Sequence, residues 1–133
     1  MRFVLDASVA ITWAMRDEDH PVADLAFVEL QADSAIVPGI WWYEIRNILV
    51  LNERRDRISQ SDSMQFLRDL EQLSIDVDFS QIGVQVMDLS RRYKLSVYDA
   101  AYLALAMRDG LPLATLDKDL TTAAIDAGVR LLA

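Results

Sequence analysis

Four acidic residues lie far apart in the 133-residue sequence, at positions from which one site can be built. Several carboxylates in one crevice repel each other unless a cation neutralises them, and oxygen ligands without His or Cys select Mg²⁺ or Mn²⁺. A divalent ion held in this way is suited to chemistry at a phosphate group. The four residues are Asp6, Glu44, Asp99 and Asp117.

Two of these acids follow predicted strands. Asp6 comes directly after the apolar stretch at residues 2–5, and Asp117 follows the apolar run at 113–115. An aspartate that precedes a helix also serves as an N-cap, so capping is the alternative role for both residues. Asp119 stands two residues beyond Asp117 and is a possible replacement for it as a ligand.

The other two acids lie on predicted helices. Asp99 ends the segment that begins at Ser96 and fits a capping box, which gives it a structural alternative. Glu44 falls beside Trp41 and Ile48 on the margin of an apolar helical stripe. Burying part of a carboxylate costs free energy unless it is paired or binds a cation. The alternative for Glu44 is an edge position from which the side chain reaches solvent.

Hydrophobic periodicity, together with Pro and Gly positions, predicts short strands that alternate with helices. The strands are predicted at residues 2–5, 35–37, 75–77, 113–115 and 129–131, and the helices at 7–15, 21–32, 41–54, 61–73, 82–93, 97–108 and 118–127. The helix at 97–108 is almost entirely apolar, so we expect it to be buried. Alternating strands and helices predict a three-layer α/β/α fold around a short-stranded parallel sheet, with ligands beyond the C-terminal strand ends.

Composition favours a single globular domain over residues 1–133, with 53% hydrophobic and 26% charged residues. No apolar run is long enough to cross a membrane, there are no cysteines, and we expect a cytoplasmic protein. The net charge of −8 argues against a nucleic-acid partner. Bound divalent cations would offset part of that charge, and basic residues cluster at 54–57 and 91–94.

Five ordered segments give the sequence a family resemblance. They read FVLDASVA (residues 3–10), VP (37–38), WYEIRN (42–47), LSVYDAAY (95–102) and LATLDKDL (113–120). Each segment alone is weak, but the ordered set with these separations is fairly specific. The chain resembles the PIN domain family and, within it, the VapC toxins of bacterial toxin–antitoxin pairs.

The resemblance implies an endoribonuclease toxin that uses Mg²⁺, with Mn²⁺ able to substitute, and that leaves a 5′-phosphate and a 3′-hydroxyl. By position, Asp6, Glu44, Asp99 and Asp117 look like the acidic quartet that binds the metal. Ser8 and Thr115 look like supporting hydroxyls, with Asp119 close by. The resemblance also implies a homodimer that a VapB-like antitoxin inhibits, and a basic antitoxin tail would suit an acidic crevice.

Two other functions fit parts of the pattern. A phosphoryl-transfer domain of the receiver or dehalogenase-like kind also places an aspartate after its first strand, but it needs a lysine in fixed support. Here Lys118 directly follows Asp117, and the acids extend onto helices. A PIN-like domain that has become a non-catalytic binding scaffold is the second alternative, and the presence of all four acids disfavours it.

Overall fold

In a computed structural model of the protein, which describes residues 1–15, 19–80 and 83–133, four short strands form one sheet. They are β1 (Phe3–Leu5), β2 (Ala35–Pro38), β3 (Ile75–Asp78) and β4 (Leu113–Ala114). Their order is β3-β2-β1-β4, and every neighbouring pair is parallel. The parallel sheet predicted from the alternation of strands and helices is therefore confirmed.

Helices fill the connections between the strands. They are α1 (Ala7–Ala10), which continues into a 3-10 turn (Ile11–Ala14), α2 (Pro21–Ala32), α3 (Ile40–Arg54), α4 (Gln60–Glu71), α5 (Gly83–Tyr93), α6 (Val97–Asp109) and α7 (Lys118–Asp126). Local signals explain several ends: Pro21 opens α2, and the side chains of Ser59 and Ser96 cap α4 and α6. Gly110 ends α6 in the left-handed conformation, with φ of 64°.

The strand order determines which layer each helix joins. The chain moves outward from β1 to β3 and then returns past β1 to β4, so right-handed crossovers place the early and late helices on opposite faces. The late helix α6 packs against β1, β2 and β4, and α5 packs on α6. This gives the three-layer α/β/α architecture, with a core of buried aliphatic side chains on both faces of the sheet.

The predicted burial of α6 is largely confirmed, because the run from Tyr102 to Ala106 is fully enclosed. Its first turn differs, because Val97 and Tyr98 are exposed. None of the helices in the described ranges combines the length and the apolar character that a membrane span requires.

Three predicted boundaries need correction or lie beyond the described residues. Thr115 follows β4 instead of belonging to it. The strand predicted at 129–131 is reduced to one bridge between Leu131 and Leu113, because β4 is only two residues long and offers no longer ladder. The predicted start of α5 at Ile82 lies outside the described residues, and α5 is described from Gly83.

One backbone position between α5 and α6 is strained. Lys94 is exposed and has φ of 55°, a left-handed conformation that costs a residue with a Cβ about 1–2 kcal/mol. Lys94→Gly should therefore raise the free energy of unfolding by roughly 0.5–1 kcal/mol, after the greater flexibility of glycine in the unfolded chain is subtracted. Urea denaturation measures the change.

Lys118→Gly is the matched control, because Lys118 is also exposed but opens the right-handed helix α7. There glycine should lower stability. Equal effects of the two substitutions would contradict the assignment of strain to Lys94.

Candidate functional site

The crevice lies where β1 and β4 are neighbours. From β1 the chain goes to β2 on one side, whereas β4 is reached from β3 on the far side of the sheet. Adjacent strands whose connections run in opposite directions leave an opening at their C-terminal ends, which is where α/β folds bind ligands. Asp6 follows β1 directly and Asp117 comes three residues after β4, so both acids lie at this opening.

Asp6 is the most buried of the acids, with 4% of its surface exposed. It occupies the N-cap position of α1, but its side chain makes no capping hydrogen bond. The hydroxyls of Ser8 and Thr115 instead each donate to its Oδ2, both at 2.7 Å. The capping alternative for Asp6 therefore does not describe its contacts.

The same two hydroxyls accept hydrogen bonds from the loop between β4 and α7. The backbone N–H of Asp117 donates to Thr115 Oγ1, and that of Leu116 donates to Ser8 Oγ, both at 3.0 Å. Each hydroxyl thus accepts a hydrogen bond from a backbone amide and donates one to the buried carboxylate. These contacts hold the end of β1 and the loop after β4 in one fixed arrangement.

Asp117 does cap a helix. Its Oδ1 accepts from the backbone N–H of Leu120 at 2.8 Å, at the start of α7. Its charge also raises the pKa of Asp6 and of Asp99, while Asp119 contributes only the smallest effect on Asp99. Asp117 therefore serves the helix and acts on the crevice at the same time, and Asp119 is exposed.

Glu44 has a partner that sequence reasoning missed. The hydroxyl of Tyr102, on α6, donates to Glu44 Oε1, on α3, at 2.6 Å. Tyr102 is fully buried, whereas Glu44 is half-buried. Two signals in the sequence point toward this pair: a carboxylate near a core needs a partner, and so does a buried tyrosine hydroxyl.

Asp99 lies in the first turn of α6, one turn before Tyr102. Its backbone N–H donates to Ser96 Oγ at 3.0 Å, which forms one half of the predicted capping box. Within the described residues no hydrogen bond runs from the Ser96 backbone to the Asp99 carboxylate. The side chain of Asp99 is half-buried beside its acidic neighbours.

The electrostatics of three acids reflect burial and crowding. Burial raises the pKa of Asp6, and the hydrogen bonds from Thr115 and Ser8 offset part of the rise. Burial also raises the pKa of Glu44, with the Tyr102 hydrogen bond opposing it and the charges of Asp6 and Asp99 adding to it. For Asp99, burial and then the charges of Asp117 and Asp6 raise the pKa, and the Ser96 hydroxyl opposes them. The acids thus share one electrostatic environment.

No basic side chain balances this charge among the residues that the structure describes, because none of their ion pairs includes Asp6, Glu44, Asp99 or Asp117. The described side chains also contain no group of three acids or imidazoles already arranged to hold a metal ion. The acids therefore surround a negatively charged crevice without forming a ready-made coordination sphere.

The model of the family described as "PIN domain" matches residues 3–126. The chain is also 28% identical to Ribonuclease VapC3 of Pyrobaculum aerophilum over 123 residues, which covers 90% of this chain and 92% of that protein.

Two solved structures share the fold. The protein PAE2754 of Pyrobaculum aerophilum aligns with a TM-score of 0.73 at 23% identity, over 92% of this chain and 84% of that one. VapC20 of Mycobacterium tuberculosis, a Sarcin-Ricin loop cleaving toxin, aligns with a TM-score of 0.61 at 13% identity, over 92% and 95%. The family match agrees with the resemblance carried by the five ordered segments and leaves the phosphoryl-transfer alternative without support. The chain belongs to the PIN domain family.

Proposed function

We propose that the protein is a metal-dependent endoribonuclease and the toxin of a toxin–antitoxin pair. The observation that carries the proposal is the crevice of four acids, in which Asp6 is buried and no basic side chain of the described chain offers an ion pair. A buried charge without a counter-ion is costly, and active sites are where such costs are retained. The non-catalytic scaffold has no observation of this kind in its favour.

The side chains at the crevice fit a hard divalent cation. They offer carboxylate and hydroxyl oxygens only, which is the ligand set of Mg²⁺ and Mn²⁺. Asp6, Glu44, Asp99 and Asp117 would hold the ion, with Ser8 and Thr115 behind Asp6. When bound, the ion supplies Lewis acidity that offsets negative charge on the attacked phosphate and on the leaving oxygen.

The residues of the chain have separate tasks in this proposal. Asp6 is fixed by two hydroxyls through Oδ2, which leaves Oδ1 without a side-chain partner in the described residues. Glu44 and Asp99 are half-buried, and burial and the charges of neighbouring acids raise the pKa of both carboxyl groups in the free crevice. A bound cation would offset both effects, so we assign Glu44 and Asp99 the task of adding negative charge against the ion.

The similarity to a ribonuclease supports RNA as the substrate. The strongly negative chain favours a basic antitoxin segment as the inhibitor, and we include a VapB-like antitoxin and a homodimer in the proposal. Exposed arginines offer phosphate contacts: Arg54 and Arg55 lie at the end of α3, and Arg91 and Arg92 at the end of α5.

The purified protein should cleave RNA with Mg²⁺ or Mn²⁺ and lose activity in excess EDTA. Asp6→Ala and Asp99→Asn should each lower the cleavage rate by about 100-fold or more, because each removes a charge from the reacting centre. Gel assays of a defined RNA measure the rates.

Asp33→Asn is the control, since Asp33 is an exposed acid at the end of α2 and should leave the rate unchanged. Circular dichroism checks that all variants are folded. Cleavage that persists without metal, or full activity in both crevice variants, would refute the nuclease proposal.

Two substitutions separate the roles of Asp117 and Asp119. Asp117→Asn keeps an oxygen that can cap α7 but removes the charge that acts on Asp6 and Asp99. It should lower RNA cleavage by about 10-fold or more, whereas Asp119→Asn should change it less than about 2-fold. The reverse order would assign the fourth acid to Asp119.

The pKa of Asp6, Glu44 and Asp99 is higher in the folded chain than in the unfolded chain. Protonation of these groups therefore stabilises the fold fully below about pH 4, and this stabilisation is lost as the pH rises through the folded pKa. Removing the charge of Asp6 should therefore raise stability at pH 7. Asp6→Asn should raise Tm by roughly 3–6 °C, the shift that about 1 kcal/mol produces in a domain of this size.

Asp33→Asn again provides the control, because a hydrogen bond from the Ser34 backbone lowers the pKa of Asp33 and its charge is stabilising. Its Tm should not rise. Adding Mn²⁺ should raise the Tm of the wild type but not of Asp6→Asn. A wild-type Tm that is insensitive to Mn²⁺ would contradict the proposed metal site.

A further inference from the structure

The contact between Tyr102 and Glu44 joins two helices at the crevice. The Tyr102 hydroxyl on α6 donates to Glu44 Oε1 on α3, across 58 residues of sequence, at 2.6 Å. Tyr102 is fully buried, so the donor lies in the core and the acceptor at the crevice.

The hydroxyl acts against a repulsion. Glu44 is partly withdrawn from water and shares the crevice with Asp6 and Asp99, whose negative charges repel its own. Glutamate has three side-chain torsions, and Glu44 is only half-buried, so without a donor its carboxylate would turn toward solvent. Tyr102 is fully buried and has one position for its hydroxyl, so it offers a fixed donor.

The position of Tyr102 on α6 fits this task. It follows Asp99 by three residues, so the two side chains share one face of the helix. The same face thus contributes one acid directly and fixes a second acid through a hydroxyl. Because Tyr102 engages only Oε1, Glu44 Oε2 has no partner among the described residues and is available to a ligand.

We propose that Tyr102 is a positioning residue, which holds Glu44 in the crevice so that its second oxygen meets a divalent cation. The inference rests on the proposed function and goes beyond the four acids and two hydroxyls named above. Ser8 and Thr115 act in the same way on Asp6, so each of the two acids has one oxygen fixed by hydroxyl donors.

Tyr102→Phe is the decisive variant, because it removes the hydroxyl and keeps the ring that packs in the core. Mn²⁺ binding, followed by electron paramagnetic resonance of the free ion without RNA, should weaken by about 10-fold, as for other residues that orient a ligand. The kcat for RNA cleavage should fall by a similar factor, and KM for RNA should change less than about 2-fold.

Tyr93→Phe is the matched control. Tyr93 also donates from its hydroxyl to a carboxylate, Asp126 Oδ2 at 2.8 Å, but at an exposed contact between α5 and α7. This variant should bind Mn²⁺ as the wild type does. A second test places Tyr102→Phe in a Glu44→Gln background, where it should cause no further loss of Mn²⁺ affinity because its effect passes through Glu44.

The outcomes separate this inference from the proposed function. Wild-type Mn²⁺ affinity in a folded Tyr102→Phe variant, while the wild type binds Mn²⁺ and cleaves RNA, would overturn the positioning role alone. Unfolding of Tyr102→Phe would also overturn it, since the hydroxyl would then be required for folding itself. A wild type that neither binds Mn²⁺ nor cleaves RNA would overturn the proposed function, and the positioning role with it.

Discussion

A carboxylate buried at the end of a central strand needs hydrogen-bond donors from the residues around it. Removing the charge of Asp6 from water is costly unless donors replace the water, and the hydroxyls of Ser8 and Thr115 do so. Those hydroxyls are oriented in turn by backbone amides of the loop that follows β4. One buried acid thus requires two segments more than 100 residues apart in sequence to lie in contact.

The strand order makes this contact possible. Because β1 lies between β2 and β4, its C-terminal end meets the end of β4 directly, and the Asp6 backbone N–H donates to the Ala114 carbonyl at 3.0 Å. A β4 of two residues is long enough for this contact, since it only has to place Thr115 and the following loop beside Asp6. The large apolar surface of α6 then covers β1, β2 and β4 and brings Asp99 and Tyr102 to the same edge.

Local patterns in the sequence were sufficient to predict most of the elements, because Pro21, Ser96 and Gly110 act through short-range physics. The fate of residues 129–131 could not be predicted, since it depended on the length of a strand far away in sequence. Asp6 and Asp117 could be placed because strand ends meet at one edge. The partner of Glu44 could not be predicted, because in the sequence Tyr102 is not distinguished from the other residues of a largely apolar helix. Only the packing of α3 against α6 brings its hydroxyl to Glu44.

The net charge of −8 takes on another meaning once the crevice is described. Burial and mutual repulsion raise the pKa of three acids, so the chain alone leaves its own crevice short of positive charge. An RNA backbone would add further negative charge to such a site. Under the proposed function a cation therefore has to offset the acids before a phosphate can approach, and the negative charge of the crevice becomes the reason for metal dependence instead of an objection to RNA.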